Sequence, residues 1–371
     1  MSSLEQKITD KITADGPINF ETFMEMALYS PGLGYYTRDS AQIGRAGDFY
    51  TSPHLHRIFG AMIGRQMEEM WDSIGRPECF HVVEMGAGMG YLAKDMLEYL
   101  KGKDLFPHLR YTIVELNPSV RERQRQLLSD FADTTGWRSQ LNELETFCGC
   151  LISNELLDAF PVRLVEVDRE LTEIFVSHDQ ENGFREVKKP CSKEVRDYFH
   201  EFGIELPEGY KTEVNLRMRN WLDEAAGRLS EGFILTIDYG YPAWDYYSED
   251  RSRGTLLCYY RHQVNEDPFR NIGEQDLTAH INFSALKAWG EGLGLKTLGF
   301  GSQGTYLVSL GIDEVITGFY GENPDPFEIA KIKGLIFPQG MGESHRVMVQ
   351  HKGKGEIKLR GFDLRNQVKK L

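Results

Sequence analysis

Phe80-His81-Val82-Val83-Glu84-Met85-Gly86-Ala87-Gly88-Met89-Gly90 is the stretch whose reading decides the fold. It begins as a short apolar run, the pattern of a strand buried on both faces. Three glycines at alternate positions follow, and then a helical pattern over about 90–100. Glycine lets a backbone come close to a ligand with no Cβ in the way. A strand, a glycine turn and a helix in that order open a nucleotide-binding unit. The dinucleotide fingerprint G-x-G-x-x-G needs a small residue at 91, where Tyr91 stands, so that fingerprint does not fit.

The same alternation continues outward. Tyr111–Glu115 is a second apolar strand, with a helix after Pro118. Cys150–Ser153 is a third, and Phe233–Ile237 a fourth, preceded by a helix over about 212–229. Leu295–Phe300 and Arg346–Gln350 read as an antiparallel pair at one edge. Strands alternating with helices predict a Rossmann-like α/β fold, a mostly parallel sheet with helices on both faces. Before it lies an N-terminal helical segment, 1–43, with two helical pieces over 3–30 broken at Gly16-Pro17. A long amphipathic helix is expected from Pro53 to about Ile74. The core runs over 44–160 and 211–351. Between them, 161–210 reads as an inserted α+β substrate region that begins with a hairpin, Val162–Val167 against Glu173–Val176. Residues 352–371 carry seven Lys/Arg and two Asp/Glu and read as a solvated basic tail.

The 371 residues have a formal charge of −14, which disfavours general nucleic-acid binding because phosphate repels an acidic surface. The 12% aromatic content excludes a disordered chain. No apolar run approaches the ~18 residues of a membrane span. Five scattered cysteines suggest a reducing compartment, and the expected location is the cytoplasm. Cys148-x-Cys150 has the wrong spacing for zinc and His54-x-His56 would diverge at a helix start, so no metal site is expected.

The pattern Glu84-x-Gly86-x-Gly88-x-Gly90 resembles motif I of class I S-adenosylmethionine (SAM) methyltransferases. Glu115 ends the next strand and can accept hydrogen bonds from both ribose hydroxyls, with Leu116 beside it. The loop Gly47-Asp48-Phe49-Tyr50-Thr51-Ser52 can fold over the cofactor, with Gly47, Asp48 and Thr51 in contact. Asn154-Glu155-Leu156-Leu157-Asp158-Ala159-Phe160-Pro161 leaves the third strand at the crevice, where Asn154 belongs to both cofactor and acceptor sites.

These segments, with Asp238-Tyr239-Gly240, Arg253-Gly254-Thr255-Leu256 and Gln275-Asp276-Leu277-Thr278-Ala279-His280, resemble the MidA-like family. Its mitochondrial members are protein arginine methyltransferases needed to assemble respiratory complex I. The resemblance implies a SAM-dependent methyltransferase acting on arginine of a protein, with a respiratory-complex subunit as one candidate and a homodimer left open. Two alternatives stay open: a small-molecule methyltransferase, and a SAM-binding assembly factor that works mainly as a chaperone. An arginine acceptor needs carboxylates to hold its planar cation and take a proton. Glu155, Asp158 and Asn154 are the candidate catalytic residues, with His280, which a helical segment would place on one face with Asp276.

Overall fold

The structure, a computed structural model, describes residues 2–38, 52–321, 323 and 325–371, without the side chain of His54. Seven strands lie in line in the main sheet. Their spatial order is Thr135–Arg138, Leu109–Val114, Phe80–Met85, Phe147–Asn154, Leu229–Tyr241, His345–Lys352 and Lys296–Ser302. The first five are parallel. His345–Lys352 runs antiparallel to both of its neighbours. Helices cover both faces. Ile58–Ser73 and Tyr91–Leu100 pack on Val82, Tyr111, Cys150 and Leu235. Arg217–Arg228 and Phe283–Gly292 pack on Val83, Leu151, Ile234 and Met348. Neighbouring strand residues such as Val82 and Val83 are therefore both fully buried, which is why the sequence shows runs and no alternation. The fold is the Rossmann-like α/β fold, a mostly parallel sheet with helices on both faces, that the alternation implied. Strand order reverses at Phe80–Met85, and this reversal opens a crevice at the carboxyl ends of the strands.

A second sheet stands beside the first. It joins Ile18–Asn19, Glu170–Asp179, Arg163–Asp168 and Lys211–Val214, with Gly183–Pro190 on Glu170–Asp179. The N-terminal piece thus pairs with the insertion, and the two share one core of Ile8, Phe20, Phe23, Leu164, Ile174 and Val176. Arg163 bridges Glu21 and the fully buried Glu173, which ties the two segments electrostatically. The last strand of this sheet ends at Val214, four residues past the expected end of the insertion at 210.

Three expectations need correction. The helix expected from Pro53 to Ile74 is two helices, Ser52–Leu55 and Ile58–Ser73. The His56 ring Nδ1 accepts from the N–H of Ile58 at 3.0 Å, a donor that a continuous helix would use within its own ladder. The tail is not simply solvated. Leu359 and Phe362 are buried in the core, and Gln367 N–H donates to the carbonyl of Phe300 at 2.7 Å. The chain end thereby covers the free edge of Lys296–Ser302. Asp276 lies in a short strand, Asp276–Thr278, so it shares no helix face with His280. The three-stranded sheet around it, and the helices between Gln303 and Ser344, were not anticipated.

Candidate active site

A cavity of about 570 Å³ opens at the strand reversal. Gly86, Gly88, Glu84, Glu115, Leu116, Asn154 and Glu155 line it, together with Tyr29 and Tyr36 from the N-terminal segment and Trp221 from the helix Arg217–Arg228. The glycine loop is shaped by its backbone: φ is +65° at Gly86, +53° at Gly88 and +87° at Gly90. A Cβ on Gly86 would also meet Leu156 Cδ1 at 2.8 Å. Gly90 does a different job. It precedes the helix Tyr91–Leu100 and faces Gln124 and Leu127, and it is absent from the described cavity lining.

Two acids stand on the glycine side. Glu84 is buried and accepts from the Tyr111 hydroxyl at 2.6 Å. Burial pushes its carboxyl up to about 7, against the opposing effect of that hydrogen bond. Glu115 lies just past the strand Leu109–Val114 and accepts from the N–H of Asn117 at 2.8 Å. Burial raises its carboxyl above the ordinary range as well.

The turn after Phe147–Asn154 is built differently. Glu155 has φ +49°, a left-handed conformation unusual for a residue with a side chain and one that needs support from its surroundings. Its N–H donates to the carbonyl of Ile237 at 2.8 Å. Its carboxylate accepts from Tyr239 Oη at 3.1 Å, Asn154 Nδ2 at 3.2 Å and the Ser52 N–H at 3.3 Å. Asp238 is fully buried and accepts the N–H groups of Leu156 and Leu157 at 3.3 and 2.9 Å, which fixes the turn. Burial pushes Asp238 up to about 7. Asp158 is raised well above the carboxylate range, first by burial and then by the charges of Asp238, Glu155 and Asp276. Its Oδ1 has no hydrogen-bond partner among the described residues. Tyr36 donates to both oxygens of the buried Asp276, at 2.8 and 2.9 Å. The rings of Tyr29 and Tyr36 stack with centroids 5.5 Å apart. Glu155, Asp158, Asp238 and Asp276 thus come from three distant segments to one acidic cluster.

The structure brings Glu84, Gly86, Gly88, Glu115, Leu116, Asn154 and Glu155 around one cavity. Asp158 sits behind that lining. His280 is on another surface: its ring stacks on Tyr239, tilts against Tyr241, and lines a second cavity beside the inserted sheet. Burial lowers its imidazole to about 4, so it is neutral near pH 7. Gly47, Asp48 and Thr51 lie outside the described residues. Ser52, the next residue, reaches Glu155 with its backbone and Gln303 with its hydroxyl. The Arg253–Leu256 segment has a structural task. Buried Glu213 accepts the N–H groups of Thr255 and Leu256, and a Cβ on Gly254 would meet its Oε1 at 2.2 Å. The sequence reading missed Tyr29, Tyr36, Tyr239 and His345 as site residues. Tyr29 lay in a segment read only as helical, and Tyr239 in Asp238-Tyr239-Gly240, read only as part of the resemblance.

Comparison with known proteins fixes the family. The profile of an S-adenosyl-L-methionine-dependent methyltransferase family matches residues 62–301. A crystal structure from Burkholderia thailandensis, bound to S-adenosyl-homocysteine (SAH), is 32% identical, with a TM-score of 0.90 over 100% of this chain and 96% of that one. The chain belongs to this methyltransferase family. The mitochondrial protein arginine methyltransferase NDUFAF7 of Rattus norvegicus is 28% identical over 90% of this chain and 80% of its own length. The Drosophila melanogaster homologue is 29% identical over 77% and 69%. The protein is a SAM-dependent methyltransferase, and SAM is its cofactor. The cavity fits that group: a glycine-lined floor, apolar walls at Val114, Leu116 and Leu141, and a carboxylate at Glu115. Among the described residues no helix is long and apolar enough to cross a membrane.

Proposed function

We propose that this methyltransferase transfers its methyl group to an arginine side chain of a protein, with Glu155 holding the acceptor. The observation that carries the reading is the buried cluster of Glu155, Asp158, Asp238 and Asp276 beside the cavity. Burial and the neighbouring acids raise Asp158 and Asp238, so the cluster is costly to ionise fully until a cation arrives. A guanidinium suits it: planar, permanently charged and able to bond two carboxylate oxygens at once. Tyr29 and Tyr36 add ring faces on which such a cation rests favourably. The relatives named as protein arginine methyltransferases support the same acceptor.

SAM supplies an electrophilic methyl on a sulfonium. The chain's own residues then have two tasks. In this reading Gly86 and Gly88 give the cofactor's methionine portion backbone contact, and Glu115 accepts its ribose hydroxyls, with Leu116 and Asn154 completing the contacts. Gly47, Asp48 and Thr51 belong to the same proposal as a covering loop. Glu155 orients one guanidinium nitrogen toward the methyl at the ~3–3.5 Å that in-line displacement needs. Its carboxylate also draws off the proton as the nitrogen's lone pair is released. Asp158, raised by burial and the same acids, is proposed to ionise when the cation arrives.

The partner in this reading is a protein, with a respiratory-complex subunit the first to try, in a cytoplasmic setting. The test is methyl-labelled SAM given to the purified enzyme with protein extract from cells lacking its gene. Labelled arginine in one or a few proteins, found by mass spectrometry, is the expected result. Label on a small molecule alone would overturn the reading.

A further inference from the structure

We infer that His345 is the final acceptor of the proton that leaves the methylated nitrogen, receiving it through Glu155. The inference rests on the reading of Glu155 above. His345 opens the strand His345–Lys352, directly opposite Tyr239 in the antiparallel register, and is only 1% exposed. Its Nε2 stands 3.5 Å from Glu155 Oε1 and has no hydrogen-bond partner among the described residues. Its Nδ1 shares a hydrogen bond with Ser344 Oγ at 3.0 Å, which sets the ring's orientation. The ring packs 4.2 Å from that of Tyr239, whose hydroxyl holds the other oxygen of the same carboxylate at 3.1 Å.

A buried ring nitrogen without a partner carries a desolvation cost that a proton shared with a carboxylate offsets. Imidazole is a stronger base than carboxylate, which gives a proton on the acid a direction of transfer toward the ring. Glu155 and Asp238 are the acids that face His345. The neutral His280 and the adjacent Arg346, which pairs with Glu343, are the basic groups nearby. Tyr239 faces the ring as a neutral hydroxyl, because burial and the charge of Glu155 raise it well above the tyrosine range.

The step balances. The acceptor nitrogen's lone pair forms the N–CH₃ bond, and the CH₃–S bond breaks with its electron pair on sulfur. The nitrogen's surplus proton goes to Glu155 and then to His345 Nε2. The methylated guanidinium keeps its single positive charge, and Glu155 is again anionic. His345 touches neither cofactor nor acceptor and is a positioning and proton-accepting residue.

The test is single-turnover methylation of the extract described above, across pH, by the full chain and its His345→Gln, Glu155→Gln and doubly substituted variants. His345→Gln should bind SAH within about twofold of the parent and react about tenfold or more slowly at pH 7. The parent's rate should rise with pH as the ring becomes free to accept, and that rise should be flattened in His345→Gln. The double variant should be no slower than Glu155→Gln alone, since the two act as one unit. Glu155→Gln slow with His345→Gln at parental rate overturns the relay and leaves the reading of Glu155 intact. Glu155→Gln at parental rate overturns the reading of Glu155 itself. If His345→Gln loses SAH binding, His345→Asn replaces it. Loss in both makes His345 a structural support and overturns the inference.

Discussion

The two halves of the crevice solve opposite problems. On the glycine side the backbone does the shaping, through positive φ at Gly86 and Gly88, and the buried Glu84 is satisfied by a tyrosine hydroxyl. On the acidic side the side chains do it. Glu155 is held in a conformation unusual for its type, and Asp158 and Asp238 are buried beside other acids. The first half is built for a ligand that needs room and a few hydrogen bonds. The second is built for positive charge. The difference teaches that cofactor and acceptor sites here should be separable by substitution.

The largest expected effect is on the glycine half. Gly86→Val puts a branched side chain at φ +65° and into Leu156. SAH affinity should fall by at least about a hundredfold, ~2.7 kcal/mol, with the fold retained by circular dichroism. Calorimetry that finds undiminished affinity breaks the glycine side of the comparison. Next comes Glu115→Ala, which removes a charged acceptor proposed for the ribose. The cost should be ~1.5–3 kcal/mol, about ten- to a hundredfold in SAH affinity, with no specific effect on a saturated reaction. A loss of transfer rate at saturating SAM would sharpen the comparison by moving Glu115 toward the acceptor.

The smallest expected effect is on pH. Asp238 is raised to about 7, so this acid gains negative charge as pH rises through neutrality. Affinity of the SAH-bound enzyme for methylguanidinium should therefore tighten a few-fold from about pH 6 to 8. Stability runs the other way. An acid whose folded pKa is raised contributes fully below its unfolded value, and its contribution is lost as pH rises through the folded value. The melting temperature should accordingly decline from about pH 4 toward 7, and Asp238→Asn should flatten that decline. A guanidinium affinity that is independent of pH would count against charge as the acceptor signal.

The glycine half was legible in the sequence because its determinants are local. One strand, one loop and one helix within twenty residues carry the whole pattern, and Glu115 ends the adjoining strand. The acidic half was only partly legible. Glu155 and Asp158 lie in one turn, but Asp238, Asp276, Tyr36 and His345 reach the cluster from four other segments. No spacing rule links residues brought together by sheet order. The pairing of His280 with Asp276 depended on a helix there, and Asp276–Thr278 is a short strand. The tail misled because its charges outnumber the two apolar residues, Leu359 and Phe362, that anchor it.

The central claim is that Glu155 serves the acceptor and not the cofactor. The direct measurement pairs SAH titration with single-turnover methylation in one preparation of Glu155→Gln, which keeps size and removes charge. The account predicts SAH affinity within about twofold of the parent and transfer slowed at least about tenfold, ~1.4 kcal/mol of barrier. Lost SAH binding would place Glu155 on the cofactor, and transfer at the parental rate would remove it from the reaction; either result contradicts the account.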